Sequence, residues 1–300
     1  MHYPKTVMKP AHPLALLPLL PTLAALLLTL TAPPAPAADD RAVDPSFYRT
    51  SSLTAPAAPT PLTTPACQVQ PIFAADSPRT AAIRALARFA RITVQPNGAC
   101  NPHAYPAEEQ SWFILSGQGT LNGRPLRPED FLYIPVNERI ELAATSGPLV
   151  LLQFGYRVPP TRTGGKQIEI ANANDVKKQV VGNHPPSTLY QLLIGDTRST
   201  RDRIAAGATL TSLFIMDFAL TGTNFPHHHD REEELYVILD GTGDMVAGPG
   251  TNGVEGRFPA QAGDAYFLRL NTTVGFYNTS QAKARILAAR WLYPFPQPRN

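Results

Sequence analysis

A histidine- and glutamate-rich segment, HHHDREEE at residues 227–234, contains side chains that can bind a metal ion. Residues two apart on an extended chain project to the same side, so we expect His227 and His229 to face together while His228 points elsewhere. A turn after His229 would return Glu234 on the neighbouring strand. Two imidazoles and one carboxylate suit Mn, Fe, Ni, Cu or Zn, and non-haem Fe(II) oxygenases use such a face with open coordination positions. The spacing therefore predicts one divalent metal site.

The same pattern occurs earlier in the chain. Residues 98–119 align without a gap with residues 222–243, at a constant offset of 124. The earlier copy keeps the first ligand position as His103, but the other two positions hold Tyr105 and Gln110. A single histidine does not hold a metal. We therefore predict a duplicated domain in which one copy has lost its metal ligands.

The register of the repeat selects one glutamate out of three consecutive ones. Gly117 in the first copy aligns with Gly241 in the second, and this alignment makes Glu234 the ligand. Glu232 and Glu233 are expected to lie in a solvated turn.

Around both motifs the chain contains short runs of β-forming residues separated by Gly, Asn and Pro. A further shared block, residues 128–137 and 262–271, has an offset of 134, so the second copy contains a ten-residue insertion, which we place in the Gly-rich hairpin loop 247–256. A short helix is predicted at 79–89 behind a Ser77 cap, and others near Asn174 and Ser187. The predicted strands are 92–94, 111–115, 131–135 and 149–154 in the first copy, and 213–220, 235–239, 265–270 and 286–292 in the second.

Both copies resemble the cupin family, whose first motif reads G-x5-H-x-H-x3,4-E-x6-G. The second copy matches it from Gly222 to Gly241, with the first glycine one residue closer than in the family pattern. Cupins are small double-stranded β-barrels, so the resemblance implies an all-β bicupin: two tandem double-stranded β-barrels with a few short helices. It also implies that His227, His229 and Glu234 are the metal ligands.

The second cupin motif, G-x5-P-x-G-x2-H-x3-N, is only partly matched. Gly263 and Asn278 agree with it, but Val274 stands where the family has a fourth ligand, a histidine, and Ile140 occupies that position in the first copy. The resemblance therefore implies three protein ligands and further open positions. Arg269 replaces the motif's proline. It either binds an anionic substrate or lies on a solvated rim of the barrel.

The amino terminus is typical of an exported protein. Lys5 and Lys9 precede an apolar run at 14–30 and a small-residue site before Asp39, which predicts a cleaved signal peptide at 1–38. The alternative is an uncleaved membrane anchor. Cleavage would leave no integral membrane domain and would lower the formal net charge from +3 to +1.

The remaining chain is divided by composition. An Ala/Pro/Thr-rich stretch at 39–70 is expected to be a tether, followed by a barrel at 71–160, a linker at 161–205 and the metal-binding barrel at 206–296. Cys67 and Cys100 form a disulfide, which export permits, or remain two thiols. No basic stripe with interleaved aromatic residues occurs, so we expect no nucleic acid partner.

The resemblance to cupin dioxygenases such as quercetinases implies O2-dependent oxidation of a small organic substrate by iron or manganese, with nickel, copper and zinc left open. Glu234 would be both a ligand and a proton acceptor. Other outcomes within the family are decarboxylation, isomerisation and hydrolysis. A non-catalytic ligand-binding or storage barrel is the alternative from a different class. The substrate, and whether the chain forms a homo-oligomer, stay open. A secreted or periplasmic location is expected.

Overall fold

Among the residues that the structure describes, the regular structure is β-strand apart from a 3-10 turn at Ala173–Asp175, which confirms the all-β prediction. The computed structural model describes residues 47–73, 85–248 and 256–292. Both repeats lie in one unit that spans residues 38–300. The strands within the described residues are β1 Phe47–Ser51, β2 Cys67–Pro71, β3 Leu86–Val94, β4 His103–Ala104, β5 Glu108–Ser116, β6 Gly119–Leu121, β7 Arg124–Leu126, β8 Asp130–Ile134, β9 Arg139–Ile140, β10 Leu142–Ala144, β11 Leu149–Arg157, β12 Glu169–Asn172, β13 Thr188–Asp196, β14 Ile204–Gly207, β15 Leu210–Phe218, β16 Glu232–Asp240, β17 Thr242–Gly248, β18 Gly256–Gln261, β19 Asp264–Leu268, β20 Thr273–Tyr277 and β21 Ala284–Leu292.

Each repeat contributes one large sheet, and the two sheets share a strand order. In the first repeat the order is β12-β8-β5-β11-β3-β2, and in the second it is β1-β19-β16-β21-β15-β13-β14. Neighbouring strands are antiparallel except for β13 and β14. The eight runs predicted from the sequence overlap β3, β5, β8 and β11 in the first repeat and β15, β16, β19 and β21 in the second. The strand orders therefore agree with the duplication inferred from the sequence.

Smaller sheets form the second layer of each repeat. They are β10-β6-β7 and the pair β4-β9 in the first repeat, and β18-β17-β20 in the second. The sheets of a repeat stay separate in their hydrogen bonding, so each repeat is a two-layer sandwich and not a closed barrel. The β17–β18 hairpin has longer arms than its counterpart β6–β7, while residues 249–255 of the insertion predicted at 247–256 lie outside the described residues.

Four strands lie in segments in which the sequence analysis predicted none. Strands β1 and β2 lie in or overlap the predicted tether and pair with β19 and β3, while β12 and β13 lie in the predicted linker and pair with β8 and β15. The sequence analysis missed these strands because hydrogen bonding to a sheet edge orders a segment whose local composition does not favour a strand. Residues 1–46, which include the predicted signal peptide, lie outside the described residues.

The predicted helices were mostly wrong. Strand β3 occupies the last residues of the helix expected at 79–89, and residues 79–84 lie outside the described part of the chain. Pairing of β3 with both β2 and β11 outweighs the local capping signal. Ser187 lies in a turn that precedes β13. Near Asn174 the short 3-10 turn does form, and the Asn172 side chain accepts a hydrogen bond from the Asn174 N–H.

The two large sheets pack face to face and join the repeats through a shared apolar core. Successive side chains of a strand point to opposite faces of its sheet, so alternate residues of β16 belong to two different cores. Leu235 and Val237 lie in the shared core, while Tyr236 and Ile238 lie between the large and small sheets of the second repeat. The first repeat has an equivalent inner core of its own.

Buried polar contacts also connect the repeats. The Glu109 carboxylate accepts hydrogen bonds from the backbone N–H groups of Ala208, Thr209 and Leu210 at 2.7 to 2.8 Å, and from Tyr133 Oη at 3.0 Å. These N–H groups lie between β14 and β15 of the second repeat. The first repeat therefore places a buried carboxylate against three consecutive donors of the second.

Two further findings concern the cysteines and the membrane anchor. Cys67 at the start of β2 and Cys100 in the loop before β4 are joined in a disulfide, so the bridged alternative is the one observed. Among the described residues there is no helix of the length and apolarity needed to cross a bilayer.

Candidate metal centre

His227 is positioned by a backbone bridge to β20. Its N–H donates to the Val274 carbonyl at 2.9 Å, and the Val274 N–H donates back at 2.7 Å. The imidazole Nδ1 lies 2.8 Å from the carbonyl oxygen of Phe225. A carbonyl oxygen can only accept, so Nδ1 carries the proton and Nε2 presents its lone pair. Metal-binding histidines are commonly oriented by such a contact.

Glu234 faces the same space because of its place on β16. It has the same alternation as Tyr236, and therefore points between the sheets of the second repeat. The solvated turn expected for Glu232 and Glu233 is wrong, since both residues lie on β16. Glu233 is buried and points to the opposite face, where its carboxylate accepts a hydrogen bond from Trp291 Nε1 at 3.0 Å. The selection of Glu234 over Glu233 by sequence register thus agrees with where the two side chains point.

The three predicted ligands come together. One donor atom each from His227, His229 and Glu234 lies within 4.8 Å of the others, and no other such group of three occurs among the described residues. His229 Nε2 lies 3.4 Å from Glu234 Oε2, yet neither buried atom has a hydrogen-bond partner in the described structure. Two imidazoles and a carboxylate whose donor atoms converge in one place are a ligand set that divalent metals take, so these residues fit a divalent metal.

The electrostatics of the group favour the metal-binding protonation states. Burial lowers the pKa of His227, so its imidazole is neutral around neutral pH. Burial by itself raises the pKa of Glu234, but His229, Arg290 and His227 together outweigh this effect and hold that pKa below its usual value. His227 therefore presents a neutral imidazole and Glu234 an ionised carboxylate, the forms that bind metals.

A small cavity of about 70 Å³ lies beside these ligands. Its wall includes four polar side chains that the sequence analysis did not assign to the site: His184, Tyr190, Arg201 and Arg290. His184 and Tyr190 come from the segment predicted as a linker, so only their proximity in the fold reveals them. The complete lining is Val181, His184, Tyr190, Leu192, Arg201, Phe214, His227, His229, Glu234, Tyr236 and Arg290.

Asn224 organises one side of the cavity. Its backbone carbonyl accepts a hydrogen bond from His184 Nδ1 at 2.5 Å, and its side-chain nitrogen donates to Tyr236 Oη at 3.0 Å. Its side-chain oxygen accepts from the Phe276 N–H at 2.8 Å. The ring centroids of His184 and His227 are 5.1 Å apart. One buried residue thus positions His184 beside a predicted metal ligand.

The equivalent position in the first repeat is filled by hydrogen-bonded side chains. Gln153 Nε2 donates to Tyr105 Oη at 3.2 Å and to Gln110 Oε1 at 3.0 Å. Gln110 thus takes part in a network that needs no metal. Nearby His103 packs edge-on against Tyr105 at a centroid distance of 4.6 Å. These contacts agree with the prediction that the first copy holds no metal.

An arginine lies near the ligand-bearing strand in both repeats, but it comes from different strands. In the first repeat Arg88 on β3 forms a bidentate ion pair with Glu108 at 2.6 and 2.8 Å. The Arg88 side chain lies directly over Gly155 of β11, where a larger residue would collide with it. In the second repeat Arg290 on β21 occupies the position that corresponds to Gly155. Arg290 pairs with Glu234 on β16 and with Ser212 on β15, so Ser212 stands where the first repeat has Arg88. Because the source strand changes, an alignment of the two motifs does not reveal this arginine.

The sequence proposal for Arg269 is not supported by the cavity. Arg269 follows the end of β19 and is not part of the lining, whereas Arg201 and Arg290 are. Arg290, rather than Arg269, is therefore the arginine beside the metal ligands that is placed to bind an anion.

Comparisons with known proteins place the fold. No family model and no curated protein matches the sequence. Among solved structures, protein Ylba from E. coli has a TM-score of 0.62 at 15% identity, covering 84% of this chain and 93% of that one. The vicilin of hazelnut (Corylus avellana) has a TM-score of 0.58 at 11% identity, with coverages of 81% and 85%. The oxalate decarboxylase of Lactobacillus farciminis has a TM-score of 0.59 at 13% identity, with coverages of 82% and 86%.

These neighbours are cupin-fold proteins, and this chain has the cupin fold. The fold and the converging ligands together define the class: a cupin-fold protein with one His/His/Glu group that could hold a metal ion.

Proposed function

We propose that the second repeat is a mononuclear divalent metal centre that catalyses O2-dependent oxidation of a small organic substrate. The observation that supports this most directly is the convergence of His229 Nε2 and Glu234 Oε2, which are buried and 3.4 Å apart, beside the oriented His227. Iron and manganese are the metals we favour, because a two-histidine, one-carboxylate face with open positions is used for oxygen chemistry. The same arrangement in a bicupin implies one metal per chain.

The chain's own residues divide the work. His227, His229 and Glu234 would hold the metal, which supplies Lewis-acid and redox chemistry when bound. Glu234 directs Oε2 towards His229 and Oε1 towards Arg290 Nε, 3.9 Å away. One carboxylate oxygen is thus available for the metal and the other for accepting a substrate proton. Phe214, Leu192 and Tyr236 line the cavity and exclude bulk water.

The size of the cavity limits the substrate. At about 70 Å³ it is far smaller than the roughly 300–1,000 Å³ pockets that take drug-sized ligands. A flavonol, the substrate type suggested by the resemblance to quercetinases, does not fit without rearrangement of the wall. We therefore favour substrates of a few heavy atoms.

We also propose that the mature protein is secreted or periplasmic. The positively charged and apolar amino-terminal sequence supports this location, and so does the Cys67–Cys100 disulfide, since such bonds persist in oxidising compartments.

The function is tested by loading purified protein with Fe(II), Mn(II) or Zn(II) and measuring O2 uptake. The substrates are small hydroxy and keto acids, catechol and a flavonol. We expect uptake with iron or manganese and a small acid, and none with zinc. At saturating metal, Glu234→Gln should lower kcat by about 100-fold or more while changing substrate binding less. His103→Ala is the matched control and should retain full activity.

Two results would redirect the proposal. Equal activity of the zinc form would mean a non-redox reaction such as decarboxylation, isomerisation or hydrolysis. Binding of metal and ligand without turnover in any metal form would favour a non-catalytic binding barrel. Sedimentation of the same preparations reports whether the chain forms a homo-oligomer.

A further inference from the structure

A bound metal would leave the buried Tyr190 hydroxyl of the cavity without an acceptor. Tyr190 is only 4% exposed, and within the described residues its Oη has no hydrogen-bond partner. Asn224 lies close, but its side-chain nitrogen can only donate and its oxygen accepts from the Phe276 N–H, so it offers no acceptor to the Tyr190 O–H. Burial, and then the charge of Glu234, raise the pKa of Tyr190 well above its usual value, so the hydroxyl is a neutral hydrogen-bond donor.

Arg290 supplies a second unused donor on the same wall. Its Nε is buried and has no hydrogen-bond partner, since Glu234 Oε1 at 3.9 Å is too distant for one. Its Nη1 lies 3.5 Å from Glu232. A metal ion binds lone pairs and cannot satisfy either N–H or O–H. Leaving a buried donor unsatisfied costs about 1–3 kcal/mol, so these two groups require an acceptor.

The charges indicate what kind of acceptor fits. Arg290 lies near two carboxylates, Glu232 and Glu234, and the second arginine of the wall, Arg201, lies 3.9 Å from Asp202. Carboxylates thus outnumber arginines by one. A divalent cation on neutral histidines reverses this balance and leaves the site with a net positive charge. A monoanion neutralises it.

We propose that the cavity binds a small monocarboxylate, whose oxygen atoms accept hydrogen bonds from Tyr190 Oη and Arg290 Nε. This rests on the metal centre of the proposed function and narrows its substrate class to carboxylic acids of a few heavy atoms. Tyr190 is then a substrate-binding residue contributed by the segment between the two motif-bearing regions. The tyrosine ring packs against His184 and Phe214, at centroid distances of 5.3 and 5.8 Å, so removing the hydroxyl need not disturb the wall.

The test is a calorimetric titration of zinc-loaded, full-length mature protein with glycolate and with glycolamide, its neutral analogue of the same size. Zinc has no redox chemistry, so binding is measured apart from oxidation. We expect glycolate to bind at least about tenfold more tightly than glycolamide. Tyr190→Phe should weaken glycolate about 3- to 10-fold and leave the zinc content unchanged. Tyr156→Phe, which removes a buried hydroxyl from the shared core, should bind glycolate like the wild type.

The outcomes separate this inference from the proposed function. Equal affinity of the wild type for glycolate and glycolamide overturns the carboxylate site. An unchanged glycolate affinity in folded Tyr190→Phe protein overturns it as well. If glycolate binds as expected but the iron and manganese forms consume no O2 with any acid, the carboxylate site stands and the dioxygenase proposal fails. A protein that holds no zinc overturns both.

Discussion

Val274 and His227 are direct partners in an antiparallel bridge, with N–H···O distances of 2.9 and 2.7 Å in the two directions. Side chains of such partners are neighbours on the same face. The position at which the cupin motif has its fourth ligand is thus beside His227, occupied by a buried valine.

Replacing Val274 with histidine should therefore add a ligand. We expect Val274→His to slow metal loss to a chelator by about tenfold, equivalent to roughly 1.4 kcal/mol, and to lower activity because one open coordination position is filled. Timed chelation followed by elemental analysis measures the effect. Ile140→His is the matched control in the first repeat, where the bridge is the same but Tyr105 and Gln110 cannot act as partners. If Val274→His loses its metal to the chelator as fast as the wild type, another residue already occupies the fourth coordination position.

The metal content of the protein should follow the second repeat alone. We expect close to one transition metal per chain in the wild type, and loss of that metal in Glu234→Ala and His227→Ala, because two ligands do not retain a divalent ion against washing. His103→Ala should keep it. Elemental analysis of folded protein checks all four. Two metals per chain, or normal content in Glu234→Ala, contradicts the single-site assignment.

The disulfide should be present in exported protein and should stabilise it. Cys67 and Cys100 are 33 residues apart, and the chain-entropy relation gives about 3–4 kcal/mol for a loop of that length. We expect non-reducing peptide mapping to recover the linked pair. The variant with both cysteines replaced by serine should lose that amount of unfolding free energy and therefore unfold at a lower urea concentration. Two alkylatable thiols in native exported protein would exclude the bridge.

The mature amino terminus should begin near Ala38 or Asp39, after the small-residue site of the predicted signal peptide. Amino-terminal sequencing of protein from the exported fraction is the measurement. Intact Met1 in a membrane fraction would favour the anchor instead.

Glu109 should matter more for stability than any surface carboxylate. Glu109→Gln replaces one of the two carboxylate oxygens by an NH2 group, which then faces two of the four donors and cannot accept from them, so we expect a loss on the order of 3 kcal/mol in the free energy of unfolding. Glu141→Gln removes only an exposed pair with Arg139 and should cost less than about 1 kcal/mol. Urea unfolding compares them. Similar losses in both variants would show that the buried contact between repeats contributes little.

The ligand group could be predicted from the sequence because its geometry is local. His227 and His229 are two residues apart, and the alternation of β16 places Glu234, rather than Glu233, on the same side as Tyr236. The alignment of the two copies also identified which one lacks ligands. Each of these conclusions depends on spacing along one short stretch of chain.

The rest of the site depended on which distant strands become neighbours, and only the tertiary structure decided that. Tyr190 reaches the cavity because β13 pairs with β15, and Arg290 because β21 lies between β15 and β16. Arg88 and Arg290 occupy comparable places from non-equivalent strands, so neither composition nor the repeat alignment marks them. The edge strands were missed for the same physical reason: hydrogen bonds to an open sheet edge are made with residues far away in sequence, and local propensity contains no information about them.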